Sequence, residues 1–207
     1  MCNEQARRVA LGLLRDDIND LRIPIHFPEG LPNLEPTDSI RITDRNVILR
    51  AAPSGGAELV VRRWSWPGSH GKPVYNFRSE GRRFEKGRCL IVADAFYEFS
   101  EGEPDASGRR PKRKRKWRFE KRGEPWFAIA GIWRNHAEVG EAYTMLTIAP
   151  GADVAPYHAR QVAVIERRDF AEWLALDARP EHLLQPPPPG TFDVSEVTER
   201  PSENLLI

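Results

Sequence analysis

The sequence is short of thiols, and that scarcity narrows its chemistry before any motif is weighed. Among 207 residues only Cys2 and Cys89 carry a sulfhydryl. Two cysteines so far apart cannot build a framework of several disulfides and do not have the spacing of a zinc site, so a reducing compartment is expected. Long apolar runs are missing as well. RRVALGLLRDDINDLR alternates charged and apolar positions where a signal peptide would hold an apolar core, and no stretch is long enough for a transmembrane helix. A soluble, unexported chain with no membrane partner is expected. The five histidines are scattered and no paired-carboxylate motif resembles a two-metal site, so neither a metal nor a cofactor is implied. The formal net charge of +1 leaves any polyanionic partner to local patches.

What is present reads as one domain over residues 1–207, since 40% hydrophobic residues can bury a sizeable core. EQARRVALGLLRDDINDL places Val9, Leu13, Leu14 and Ile18 at helical spacing, which predicts an amphipathic helix directly after Cys2. After the irregular IPIHFPEGLPNLEPTD come SIRITDRNVILRA and AELVVRRWSW, with turns at Asp44-Arg45-Asn46 and Ser54-Gly55-Gly56, as in antiparallel strands. RCLIVADAFYEF, WRFEK, EPWFAIAGIW, YTMLTIA and QVAVIE continue the strand-like pattern. RRDFAEWLAL predicts a helix capped by Asp169 with Glu172 completing a capping box. Four successive prolines then precede a short strand at FDVSEV. The fold class expected is α+β, a single domain on a mostly antiparallel, barrel-like sheet with flanking helices.

One segment departs in composition. RRPKRKRKWRFEKR, from Arg109 to Arg122, carries ten basic residues and one acidic residue. It reads either as a patch for a phosphate backbone or as a solvated surface loop, and a nuclear-localisation signal ranks third.

Three stretches place polar groups beside strands: NFRSE at 76–80, ADAFYEF at 93–99 and YHARQVAVI at 157–165. Glu98 sits in an apolar, aromatic run. Buried, its carboxyl would have a raised pKa and trade protons near neutrality; at an edge strand it would simply face water. His158 reads as an acid or base, or as a satisfied histidine at a strand entrance. Asn76 and Arg78 alternate on one side of an extended segment, where Arg78 suits a phosphate or an ordinary ion pair.

These stretches together resemble the SOS-response-associated peptidase (SRAP) family, which covers abasic-site-processing proteins that shield single-stranded DNA. The chain opens with Met-Cys as that family does. Asn76-Phe77-Arg78-Ser79-Glu80 is similar to the family's Asn-Ala-Arg-Ser-Glu, and RCLIVADAFYEF from Arg88 to Phe99 to its Arg-Cys-Leu-Ile-Pro-Ala-Asp-Gly-Phe-Tyr-Glu-Trp. AGIW at 130–133 matches Ala-Gly-Leu-Trp, while His158-Ala159-Arg160-Gln161-Val162 keeps the His and Arg of His-Asp-Arg-Met-Pro. WSWPG at 64–68 replaces the family's Trp-Gly-Leu-Ile-Pro, and residues 105–116 look like a basic insertion.

The resemblance implies a reaction for the cysteine at position 2. Removal of Met1 leaves Cys2 with a free α-amine and a thiol on neighbouring carbons, a 1,2-aminothiol, which is the natural partner of the aldehyde of a ring-opened abasic site. It implies a thiazolidine crosslink, with Cys2, Asn76, Glu98 and His158 as the reacting and orienting residues. It also implies DNA contacts from Arg78, Ser79 and Arg160. Trp64 reads as a stacking surface or, alternatively, as a core tryptophan. The partner so implied is abasic single-stranded DNA, bound by a monomer in a bacterial-type cytoplasm and, when on DNA, at the nucleoid. An N-terminal-nucleophile cysteine peptidase and a non-catalytic single-strand-binding module are the alternative functions.

Overall fold

The computed structural model describes residues 2–104, 107, 109, 111, 113–175 and 177–198. Met1, whose removal is expected, and Asp105, Ala106, Gly108, Arg110 and Lys112 of the expected basic insertion lie outside the described residues. In chain order the elements are β1 (Glu4–Arg7), α1 (Leu11–Asp20), β2 (Ile25–His26), β3 (Thr37–Arg41), β4 (Arg45–Ala51), β5 (Ala57–Trp64), β6 (Trp66–Pro67), β7 (Pro73–Val74) and β8 (Asn76–Arg78). There follow β9 (Arg88–Ala93), β10 (Ala95–Ser100), β11 (Arg115–Lys121), β12 (Phe127–His136), β13 (Gly140–Ile148), β14 (Gln161–Val162), β15 (Val164–Ile165), α2 (Phe170–Leu174) and β16 (Phe192–Glu196).

Alternation of side chains along the strands builds a barrel. β13 pairs with β12, β12 with β9, β9 with β4 and β4 with β5, all antiparallel, and a parallel pairing of β5 with β13 closes the ring. Val47, Leu49, Leu90, Val92, Ala128, Ala130 and Leu146 share one apolar cluster with Leu14 and Ile18 of α1 and Phe170 and Trp173 of α2. A face that carries helices is the outer face. The alternate residues Ile48, Val60, Cys89, Ile91, Ile129 and Met145 therefore point inward and form the second cluster.

A second sheet, ordered β16-β11-β10-β1-β3, extends that inner cluster. Phe96 of β10 stacks on Phe119 of β11 with ring centroids 4.8 Å apart, and Phe192 closes on it edge-first at 5.3 Å. The family-like run RCLIVADAFYEF thus divides at Asp94, with β9 in the barrel wall and β10 in the second sheet. The expected α+β, barrel-like architecture with flanking helices is the one observed.

The N-terminal expectation needs correction. EQAR is not helical but forms β1, paired with β10 on one side and β3 on the other, and α1 begins only at Leu11. Backbone pairing with two partners distant in sequence overrides the local helical spacing. Leu14 and Ile18 are buried as expected, whereas Leu13 is exposed. The capping box at the second helix does not form either. Asp169 ends a 3-10 turn with ψ near 1°, so its side chain is not presented to the helix amides. The turn expected at Asp44-Arg45-Asn46 falls earlier, where Asp44 N–H donates to Arg41 O and Thr43 has φ 83°, because Arg45 and Asn46 are drawn into pairing with β5. None of the described helices is long and apolar enough to cross a membrane.

Candidate functional site

β1 carries Cys2 into the interior. A residue before an edge strand would be loose, but β1 lies between two partners, so Cys2 is delivered beside β10 and is wholly buried. Each of its polar groups faces another group of the chain. The thiol donates to Glu4 O at 3.2 Å, the carbonyl accepts from Asn76 Nδ2 at 2.7 Å, and the backbone N–H is turned to the Glu98 carboxylate. Burial, reinforced by the nearby Glu98 charge, pushes the Cys2 thiol far above its ordinary pKa, so at neutral pH it keeps its proton.

Glu98 is on β10 with its side chain 1% exposed. Of the two sequence readings, burial is the one observed. Removal from water raises its pKa from 4.5 to about 7, the value at which a carboxyl is divided between proton donor and acceptor at physiological pH. The His158 ring lies close by, with Nδ1 3.9 Å from Glu98 Oε2. That nitrogen also faces the Arg160 carbonyl at 2.9 Å and the Arg160 N–H at 3.0 Å, so the tautomer decides whether it donates to the first or accepts from the second. Partial burial lowers the His158 pKa and favours the neutral imidazole.

The NFRSE segment is aligned by β13. β8 runs parallel to it, with Asn76 opposite Met145 and Arg78 opposite Thr147. Thr147 O then accepts from Ser79 N–H at 3.0 Å, from Ser79 Oγ at 3.1 Å and from Arg160 Nη2 at 2.6 Å. One carbonyl thereby ties the Asn76 strand to the segment bearing His158. Arg160 also grips Glu80 through both terminal guanidinium nitrogens, Nη1 and Nη2. Ser79 is buried.

Arg78 is exposed and makes no ion pair with a described residue. Trp64 is the core tryptophan of the two readings: its ring is fully buried and its Nε1–H donates to Tyr75 O at 2.9 Å. That bond fixes the residue next to Asn76, so Trp64 supports the site from behind.

The basic run, read either as a phosphate patch or as a solvated loop, is largely neutralised where it is described. Lys114 pairs with Glu101 at 3.2 Å, Arg115 Nε with Glu196 at 2.8 Å, and Lys116 with Glu4 at 2.7 Å. Sequence reading missed two contributors. The thiol acceptor is a backbone carbonyl, Glu4 O, and leaves no trace in residue type. The Thr147 carbonyl is equally silent, since only the register of β8 and β13 puts it there. Among the described residues, no three or more His, Cys, Asp and Glu side chains converge as metal ligands.

Comparison with known proteins bears on this geometry. The family model described as "SOS response associated peptidase (SRAP)" matches residues 33–201. A protein from Bacteroides thetaiotaomicron has a similar crystal structure, with TM-score 0.71 and 14% identity, over 95% of this chain and 92% of that one. One from Bordetella bronchiseptica gives TM-score 0.69 and 21% identity over 96% of this chain and all of the other. A phage-related protein of Bordetella bronchiseptica gives 0.70 and 17% over 96% and 95%. At these identities the likeness is one of fold. No curated protein matches the chain significantly.

Proposed function

This chain belongs to the SOS response associated peptidase family, and on that premise we propose that it captures abasic sites in single-stranded DNA by a thiazolidine crosslink through Cys2. Membership supports a DNA-damage-associated role. The finer reading rests on one observation: Cys2 is held at its nitrogen, carbonyl and thiol, with the nitrogen turned to a carboxyl that titrates at about 7.

The chemistry follows from that arrangement. Removal of Met1 turns the Cys2 nitrogen into an α-amine with a pKa of about 7.7–8.0, and Glu98 stands where it can take the ammonium proton. The neutral amine adds to the aldehyde carbon of the ring-opened deoxyribose. Glu98 returns the proton to the carbinolamine oxygen, which leaves as water, and a C=N bond remains. The Cys2 thiol then adds to that carbon, its proton passing by way of Glu98 to the nitrogen, and a five-membered ring closes. Aldehyde and aminothiol yield thiazolidine and one water, with no redox change. Asn76 holds the Cys2 carbonyl and so fixes the rotation of the residue during both additions. In this reading His158, with Nδ1 3.9 Å from Glu98 Oε2, exchanges a proton with the opened sugar's oxygen, and Arg78 offers an exposed cation to a backbone phosphate.

Denaturing electrophoresis of the protein with a single-stranded oligonucleotide bearing one abasic site tests this. The expected result is a heat-stable adduct of one protein and one strand, absent in Cys2→Ala and Cys2→Ser. Because an imine alone hydrolyses on denaturation, a heat-stable adduct of Cys2→Ala would overturn the proposal.

A further inference from the structure

An aromatic pair borders the buried carboxyl, and nothing in the reaction above uses it. In the β10–β11 pairing Glu98 stands directly opposite Trp117. Residues so paired extend their side chains from the same face of the sheet, so the indole lies alongside the carboxyl. Trp117 in turn contacts Tyr157, with ring centroids 4.5 Å apart at 53°, and Tyr157 immediately precedes His158. The Arg115 guanidinium also lies 4.4 Å from the Trp117 centroid. A cation and two rings thus form a ladder at the edge of the site, both rings half-buried.

The ladder is rigid. Trp117 Nε1–H donates to Ser100 Oγ at 2.8 Å, Tyr157 packs edge-on against Phe119 at 5.5 Å, and Arg115 is held by Glu196. Rings fixed in this way bind a flat partner with little further loss of conformational freedom. An abasic nucleotide has no base, so its neighbour has lost a stacking partner. An aromatic face beside the reacting sugar can replace that partner, and it accepts any of the four bases because each has a π-face. A planar guanidinium can extend the same stack.

We propose that Trp117 and Tyr157 form a stacking platform for a nucleobase that flanks the abasic sugar. The inference rests on the reading of Cys2 as the capturing residue, which puts the sugar at Glu98 and its neighbour within reach of Trp117. It assigns to these residues the stacking role that the buried Trp64 ring cannot fill.

The test uses single strands with a tetrahydrofuran residue, which has no aldehyde, and 2-aminopurine placed on either side of it. Binding of the wild-type protein quenches the fluorophore on one side, and Trp117→Leu abolishes that quench and weakens binding about tenfold. Trp117→Phe keeps the quench and binds within about twofold of wild type. Replacing the flanking base on that side by a second tetrahydrofuran costs the wild type the same factor of about ten and costs Trp117→Leu nothing more, a comparison in which the wild-type fold is unaltered. Equal wild-type binding with and without either flanking base, or an undiminished quench in Trp117→Leu, overturns the platform. Strands with a true abasic site separate the two readings. A quench without any covalent adduct leaves the platform and removes the role of Cys2, while an adduct without a quench does the reverse.

Discussion

Glu98 ties stability to reactivity. A carboxyl whose pKa is about 7 in the folded chain and 4.5 when unfolded binds its proton more tightly in the folded state. Folding therefore takes up a proton between those values: the contribution to stability is complete below pH 4.5 and is lost as pH rises through 7. At about 1.4 kcal/mol per pH unit the loss reaches about 3 kcal/mol. Glu98→Gln does not titrate, so its stability relative to wild type should rise from pH 4.5 to above 7 by about that amount, measured by urea unfolding across the range. The same variant should slow adduct formation by on the order of 10²-fold, since it keeps the shape and loses the proton carrier. His158→Gln should instead change the rate of adduct release relative to formation, because in the proposed mechanism the imidazole exchanges a proton with the sugar oxygen in both directions. Equal losses for both variants in both directions would mean that the two residues act as one unit. The burial of Glu98 was legible because a titratable group inside an apolar run is conspicuous, whereas His158, at a strand entrance, had no such context. The Glu4 carbonyl that holds the thiol was not legible, since every residue has one.

At the level of elements, β8 and the β10–β11 hairpin divide the electrostatic work unequally. Arg78 at the end of β8 is exposed and makes no ion pair with a described residue, whereas Lys114, Arg115 and Lys116 each face a carboxylate. A phosphate approaching the hairpin must compete with Glu101, Glu196 and Glu4. Arg78→Ala should therefore lower the slope of log affinity against log salt by about one, while Lys114→Ala and Lys116→Ala should each change it by clearly less. Titrations of single-stranded DNA at several salt concentrations decide this, and equal slopes for all three variants would count against it. Most strands could be read from the sequence, since inward and outward positions alternate through VILRA, RCLIVA and TMLTI. EQAR could not, because four residues fit a helical spacing as well as a strand and only their distant partners choose. The Glu98–Trp117 pairing was hidden for the same reason. Register is a property of two strands together, and neither sequence states it alone.

For the molecule as a whole, a five-strand ring leaves little room inside, and Gly131 of β12 shows how little. A Cβ there would lie 2.6 Å from Ile91 Cδ1, 2.9 Å from Thr144 O and 3.0 Å from Cys89 Sγ. Gly131→Ala should cost about 1–3 kcal/mol by overpacking, visible as a fall of several degrees in Tm. An unchanged Tm would show that the interior can yield. The order of assembly follows from where the first strand sits. β1 docks against β10, opposite Phe96 and Ala95, and β10 is itself flanked by β11, which ends at Lys121. At about 5–20 residues per second, ribosomal synthesis needs on the order of ten seconds to supply those partners. Throughout that interval β1 can pair only with β3, and the face that later meets β10, with Cys2 beside it, stays uncovered. Excision of Met1, which the proposed chemistry requires, thus has its opening during translation, and the docking of one strand both ends it and closes Cys2 inside the fold.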